Sequence, residues 1–249
     1  MVKKEMNKIN DILGYSNLKI YQNPDFFSFS LDSIILANYC NIRLRDKKII
    51  DFCSGNAVVP LILSRRCEKD IEGVELQDSI YELGLESIKI NHLEDRIHFY
   101  HMDVKEFSKD PKNNSQYDLV LCNPPYFKNE EQSTKNLSIE KSIARHEIAL
   151  TLDELCKSAS LILKDNGCFT IVHRTERLMD IIDAFRKYHI EPKRIKYIYE
   201  TVEKESYLML IEGQKMGKPG LKIDKPLILY DKSGNMTEEY SRLQTEVIK

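Results

Sequence analysis

The sequence predicts an α/β fold with a doubly wound, mostly parallel sheet of seven strands. Two observations carry this prediction: short apolar segments typical of strands alternate with helical segments, and small or polar residues follow several of the predicted strands. Repeated alternation of strand and helix favours a parallel sheet that is covered by helices on both faces. The length of 249 residues suits one large domain with a small annex.

The composition excludes several classes of protein. The chain has 37 Lys and Arg against 39 Asp and Glu, a net charge of −2, which excludes a protein coated in positive charge. This net charge is compatible with a nucleic-acid partner, because a local basic face is enough to bind one. No apolar run reaches the roughly 18 residues of a membrane span, and residues 1–5 lack the apolar segment of a signal peptide. Six scattered cysteines without a CxxC pair indicate reduced thiols. We therefore expect a cytoplasmic protein with no metal and no membrane contact. We also expect a monomer, although no sequence feature determines the oligomeric state.

The first 45 residues predict a small extension that packs on the core. Residues 3–13 predict a short, partly charged helix, and residues 18–21 predict a short strand. Ser30 is placed to cap an apolar helix that runs to Tyr39, because its hydroxyl can accept from an early backbone N–H. We expect the main domain to span residues 46–249, including a small C-terminal tail.

The alternating elements follow in order. Apolar segments predict parallel strands at 48–52, 71–75, 97–101, 117–122 and 168–172. The helices that accompany them are predicted at 58–66, 79–91, 152–163 and 178–188. Residues 194–199 and 207–211 predict a final antiparallel pair. In such sheets ligands bind beyond the carboxyl ends of the strands, so we expect the chemistry directly after each strand.

Four distinctive features follow the predicted strands. The first strand leads into a turn of small residues, 51–57, which opens a helix and allows close backbone approach to an anionic ligand. Glu75 ends the second strand, and Asp103 follows the third. The fourth strand leads into Asn-Pro-Pro-Tyr at 123–126, where two consecutive prolines prevent helix and ladder pairing and so lock the backbone.

In this order, the features resemble the class I S-adenosylmethionine-dependent methyltransferases, which have a Rossmann-like fold, and NPPY resembles their amino-group branch. Most members carry DxGxGxG in the first turn, where Cys53 and Ala57 here occupy the first and third glycine positions. The resemblance implies S-adenosylmethionine as cofactor and S-adenosylhomocysteine as its product. The residues that it assigns to the cofactor site are Asp51, Cys53, Gly55, Glu75, Asp103, Asn123 and Phe29.

The resemblance also implies a role for most of these residues. Asp51 and Gly55 would flank the methionine part of the cofactor, with Asn123 near the same end. Glu75 would bind the ribose hydroxyls, and Asp103 would accept from the amine of the cofactor's adenine.

Three further segments indicate which subgroup of these methyltransferases the sequence resembles. Residues 21–37, the Arg-His-Glu sequence at 145–147 and residues 230–240 resemble the bacterial valine-tRNA adenine-N6 methyltransferases. These enzymes modify the adenine just 3′ of the anticodon, at position 37. The resemblance therefore implies tRNA as the partner.

Methyl transfer to an exocyclic adenine amine needs acceptors that turn the nitrogen lone pair toward the methyl carbon. The side-chain oxygen of Asn123 and the carbonyl of Pro124 can accept from the two N–H groups of the amine, and Tyr126 can stack on the base. These three are the predicted catalytic residues. The predicted substrate contacts are Tyr126, Phe127, Lys128, Lys135, Arg145 and His146.

Other interpretations of the motif stay open. NPPY suits the side-chain amide of a glutamine in a protein such as a release factor, because that nitrogen poses the same problem. An amino-methyltransferase of ribosomal RNA or DNA shares the chemistry. The substituted turn is compatible with a nucleic-acid-binding protein that lost catalysis, whereas NPPY together with Glu75 favours an active enzyme.

Overall fold

The computed structural model describes residues 7–23, 31–124 and 150–243. Its strands are β1 (Lys8–Ile12), β2 (Tyr15–Gln22), β3 (Lys48–Phe52), β4 (Asp70–Glu75), β5 (Ile97–His101), β6 (Tyr117–Cys122), β7 (Leu163–Arg174), β8 (Ile190–Thr201), β9 (Leu208–Lys215), β10 (Lys222–Ile223) and β11 (Leu227–Tyr230). Its α-helices are α1 (Leu31–Tyr39), α2 (Val58–Arg66), α3 (Asp78–Ile90), α4 (Val104–Lys109), α5 (Leu152–Ile162), α6 (Leu178–Lys187) and α7 (Glu238–Leu243).

The main sheet has the doubly wound, mostly parallel topology that the sequence predicts. Its strand order is β10-β8-β9-β7-β6-β3-β4-β5, and β11 also pairs with β8. The strands β3 to β7 pair in parallel, and β9 lies antiparallel between β7 and β8. All seven predicted strands are present in this sheet, which confirms the fold class.

Within the described ranges, the sheet nevertheless has nine strands where seven were predicted. The two additional strands, β10 and β11, pair in parallel with β8 at one edge. β10 has only two residues and both are exposed, so it carries no apolar pattern that could be recognised. The segment predicted as a small tail thus extends the sheet.

The predicted helix at 3–13 is wrong where the structure describes it. Residues Lys8–Ile12 form β1, which pairs antiparallel with β2 through a turn whose Gly14 has φ 83°. Four of the five residues of β1 are exposed, so no helical apolar stripe exists to bury. In β2, Leu18 and Ile20 are buried and the residue between them is exposed, which is the alternation of a half-buried strand. The hairpin packs on α3 and α2.

Two apolar layers cover the faces of the sheet. Along β7, Phe169 and Ile171 pack into the layer that holds α5 and α6. Cys168 and Val172 alternate with them and pack into the opposite layer, with α1, α2 and the N-terminal hairpin. This alternation buries both faces of β7 and explains why apolar residues occupy consecutive positions in it.

No helix among the described residues has both the length and the apolar character needed to cross a membrane.

Candidate active site

Three neighbouring strands end level with one another at the carboxyl edge of the sheet. Phe52 at the end of β3 is in register with Val74 of β4 on one side and with Cys122 of β6 on the other. The chain therefore brings the turn after β3, Glu75 and Asn123 to one place. The next strand adds Asp103, since the backbone N–H of Met102 donates to the carbonyl of Glu75 at 3.0 Å.

The turn after β3 follows a glycine-type path with only one glycine. Cys53, Gly55 and Ala57 have φ values of 55°, 59° and 68°, the left-handed region that favours glycine. These are the three positions that glycine holds in the motif of the resembled family. A residue with a Cβ costs about 1–2 kcal/mol in this conformation. The surrounding contacts must therefore hold Cys53 and Ala57 in place.

Asp51 and Ser54 supply part of that support. The hydroxyl of Ser54 donates to the Asp51 carboxyl at 2.6 Å, and the backbone N–H of Ala57 donates to the Ser54 carbonyl at 3.0 Å. Asp51 is only 2% exposed. The pKa of the Asp51 carboxyl is raised to about 8, mainly by this burial; the Ser54 hydrogen bond acts to lower the pKa, and the nearby Glu75 acts to raise it. Burial thus favours the protonated form of the Asp51 carboxyl.

Glu75 ties the turn to the next strand. Its carboxylate accepts from the backbone N–H of Gly55 at 2.9 Å and, through its other oxygen, from that of Gln77 at 2.9 Å. Among the described residues, leaving out the two chain neighbours of Gly55, no heavy atom lies within 4 Å of the position that a Cβ would take there. The turn therefore presents open space beside a buried carboxylate, which fits a ligand that carries hydroxyl groups.

Asp103, which is predicted to bind the adenine of the cofactor, also makes a hydrogen bond within the protein. Its carboxylate caps the short helix α4 by accepting from the backbone N–H of Lys105 at 2.7 Å, and the Lys105 ammonium lies 3.7 Å away. Its position at the end of β5, next to Glu75, agrees with the predicted place at the carboxyl edge.

Two apolar side chains at this edge were missed by the sequence analysis. Leu76 follows Glu75, Met102 precedes Asp103, and each is 42% exposed. Each is the sequence neighbour of an acidic residue near the end of a strand, and this pattern would have identified both. Together they offer apolar surface to a flat ring.

Asn123 is anchored by a helix from the other end of the chain. Its side-chain amide nitrogen donates to the hydroxyl of Ser33 on α1 at 2.8 Å. The side-chain oxygen of Asn123 is also buried. Pro124 is buried next to it. Ser33 is a second residue that the sequence analysis missed.

Several predicted residues lie outside the described part of the chain. They are Phe29, Tyr126, Phe127, Lys128, Lys135, Arg145 and His146. Within the described residues, no group of three or more His, Cys, Asp or Glu side chains is arranged to hold a metal ion.

Solved structures share this architecture at low sequence identity. A predicted O-methyltransferase from Agrobacterium tumefaciens aligns with a TM-score of 0.69 at 19% identity, covering 86% of this chain and 95% of that one. The Pyrococcus horikoshii protein TYW2, in complex with MeSAdo, aligns with a TM-score of 0.57 at 14% identity, covering 85% and 72%. These likenesses support the fold.

Sequence comparisons give the family. A relative from Bacteroides fragilis, a tRNA1(Val) (adenine(37)-N6)-methyltransferase, is 31% identical over 173 residues, 69% of each chain. Relatives of the same description are 29% identical in Aliivibrio salmonicida, over 82% of this chain and 84% of that one, and 22% identical in Flavobacterium johnsoniae, over 93% and 97%. The profile of the family described as "Methyltransferase small domain" matches residues 17–199. With its strand-end site and its doubly wound sheet, the chain belongs to the methyltransferase small domain family.

Proposed function

We propose that this protein methylates the exocyclic N6 amine of an adenine in tRNA, with the adenine at position 37 of a valine tRNA as its target. One observation carries the proposal: the Asn123 amide stands at the end of β6, beside the turn and the acid that fit a methyl donor. The curated relatives with this activity in their names support the choice of substrate. A tRNA substrate also favours a cytoplasmic location, and we expect a monomer.

The cofactor site lies along the ends of β3, β4 and β5. S-adenosylmethionine, when bound there, supplies a methyl group that is activated by attachment to a positively charged sulfur. The open face at Gly55 gives it room. The Glu75 carboxylate, which accepts from the backbone N–H groups of Gly55 and Gln77, would also accept from the ribose hydroxyls. Leu76 and Met102 would flank the adenine ring, with Asp103 beside its amine.

Asn123 and Pro124 would prepare the target amine. The lone pair of an adenine N6 nitrogen is delocalised into the ring, so the amine must rotate before it can attack. Two acceptors, the side-chain oxygen of Asn123 and the carbonyl of Pro124, would hold its N–H groups in that geometry. These bonds strengthen as positive charge develops on the nitrogen, so they stabilise the transition state more than the ground state.

The remaining substrate contacts stay proposals from the sequence. Tyr126 would stack on a base that has left its helical stack, as an enzyme acting on a base requires. Phe127, Lys128, Lys135, Arg145 and His146 would contact the surrounding RNA, the cations through phosphates.

The decisive experiment is transfer of labelled methyl from S-adenosylmethionine to total tRNA from a strain that lacks this gene. Purified release factor serves as a parallel acceptor, and the labelled product is digested and identified by mass. We expect N6-methyladenosine in tRNA, and sequencing of the modified tRNA gives the position. Label in the release factor alone would replace the RNA substrate by a protein glutamine.

A further inference from the structure

The side chain of Asn56 ties the turn after β3 to the N-terminal hairpin. Its amide nitrogen donates to the backbone carbonyl of Tyr21 in β2 at 3.0 Å, and Asn56 is only 5% exposed. A backbone carbonyl can only accept, so the nitrogen of the amide must be the end that faces it. This one contact therefore joins the candidate cofactor site to a segment that lies 35 residues earlier in the chain.

Tyr21 is itself held from a second side. Its backbone N–H donates to the hydroxyl of Ser87 on α3 at 2.9 Å, and that hydroxyl donates to the Leu83 carbonyl of the same helix at 2.7 Å. Ser87 is buried. The Tyr21 carbonyl consequently offers Asn56 a partner that is fixed to the core and does not move with the turn.

Asn56 lies between two residues whose backbone needs such support. Gly55 and Ala57 both have left-handed torsions, and the Cβ of Ala57 makes this conformation costly. When only a fraction of the molecules has the conformation that binds a ligand, the apparent Kd rises by the inverse of that fraction. Loss of the Asn56 contact would lower this fraction, because the turn could then relax.

We infer that Asn56 is a positioning residue for the methyl donor, and that it holds the turn after β3 in its binding conformation through the Tyr21 carbonyl. The inference rests on the cofactor site of the proposed function and deepens it, because it makes the N-terminal hairpin a determinant of cofactor affinity. A purely structural role for the contact makes a different prediction. Its loss would then loosen the hairpin and leave the affinity for the cofactor unchanged.

The first test compares Asn56→Ala with a matched control on the same hairpin. Asn91→Ala removes an amide that accepts from the backbone N–H of Lys19 at 2.9 Å and donates to the Lys19 carbonyl at 2.6 Å. Isothermal titration with S-adenosylhomocysteine measures Kd without any methyl acceptor. We expect Kd to rise about 5- to 10-fold in Asn56→Ala, the loss typical of one hydrogen bond, and to stay within about twofold of wild type in Asn91→Ala.

Two outcomes of this titration would overturn the inference. The first is an unchanged Kd in Asn56→Ala. The second is an equal rise in both variants, because the affinity would then depend on the hairpin as a whole and not on the Asn56 contact. If Asn56→Ala does not fold, Asn56→Ser takes its place with the same expectation, since the serine hydroxyl is one atom closer to the backbone than the amide nitrogen.

A double-mutant cycle separates positioning of the turn from direct contact between Asn56 and the cofactor. Ala57→Gly removes the Cβ that opposes the left-handed conformation, so the turn needs less support from its neighbours. Asn56→Ala should therefore raise Kd by only about twofold in the Ala57→Gly background. A loss as large as that in the wild-type background would show that Asn56 does not act through the turn.

Steady-state kinetics and the acceptor assay distinguish this inference from the proposed function. Asn56→Ala should raise the KM for S-adenosylmethionine and keep kcat near the wild-type value, because saturating cofactor selects the binding conformation. A lower kcat with an unchanged KM would contradict the inference. Wild-type protein that binds S-adenosylhomocysteine but labels no tRNA would overturn the proposed substrate, and the ratio of Kd between wild type and Asn56→Ala would still decide the role of Asn56. Wild-type protein that binds no cofactor would overturn both.

Discussion

Cys53 and Ala57 place side chains where the backbone favours glycine. Cys53 is half-buried, so replacing it by glycine would relieve the left-handed strain while adding freedom to the unfolded chain. We expect Cys53→Gly to keep the free energy of unfolding within about 1 kcal/mol of wild type. Cys53→Val should lose about 2 kcal/mol or more, because a β-branched residue fits this conformation worst. Denaturant unfolding measures both, and a Val variant as stable as the Gly variant would contradict the assigned strain.

The Asp51 carboxyl should make the free energy of unfolding depend on pH. Burial raises the pKa of its carboxyl from 3.8 to about 8 in the folded protein. Between these two pKa values, the Asp51 carboxyl keeps its proton in the folded protein and loses it in the unfolded chain. The contribution of Asp51 to the free energy of unfolding is therefore fully present below the unfolded pKa. It is lost as pH rises through the folded pKa.

The comparison with Asp51→Asn isolates this effect, since the amide does not titrate. From pH 5 to pH 8, without cofactor, the wild type should lose about 1 kcal/mol or more of unfolding free energy relative to the variant. Urea titrations at both pH values measure the difference. Parallel profiles would show that the Asp51 carboxyl is ionised in the fold.

For single residues, the sequence predicts which side chains lie at the candidate active site, but it does not predict their hydrogen-bond partners. Glu75, Asp103 and Asn123 are predictable because each lies at or just beyond the end of a predicted strand. Ser33 is not, since 90 residues separate it from Asn123 and no local pattern links them. The second role of Asp103 as a helix cap also depends on the short helix α4, which the sequence analysis did not identify.

At the scale of elements, helix α3 packs closely against strand β5 at Gly84, which has no side chain. A Cβ added at Gly84 would meet the Phe99 ring at 2.4 Å and the Gly55 carbonyl at 3.3 Å. The ring is stacked on Tyr81 with centroids 5.2 Å apart, and it also fills the space beside Gly73. It therefore has little room to yield.

We expect Gly84→Ala to destabilise the protein by about 1–3 kcal/mol, because this overpacking exceeds the roughly 1 kcal/mol that alanine gains in a helix. Thermal unfolding measures the loss. Adding Phe99→Leu should recover part of it. A Gly84→Ala variant that is more stable than wild type would show that helix propensity outweighs the close approach.

Element prediction succeeds where the apolar pattern is unambiguous. The strands β3, β5 and β6 match their predicted bounds because each is a short segment rich in apolar or aromatic residues and is preceded by a polar residue. The segment β1 is mostly exposed and becomes a strand only by pairing with β2, so its conformation depends on a partner. The same holds for β10, which exists through its pairing with β8.

At the scale of the whole molecule, the net charge of −2 bears on RNA binding. A chain without general positive charge must bind tRNA through a confined set of cations, and each phosphate contact adds to the salt dependence. We expect Lys128→Ala to weaken tRNA binding and to reduce the slope of log Kd against log salt by about 1. Equilibrium binding over a salt series tests this. An unchanged slope would remove Lys128 from the RNA footprint.

The path of the turn after β3 also affects how such enzymes are found in genomes. A search that counts glycines in this turn would score the chain poorly, because Gly55 is the only glycine between Asp51 and Ala57. The three left-handed torsions persist nonetheless. A descriptor written in backbone angles would therefore retrieve divergent members that a letter pattern discards.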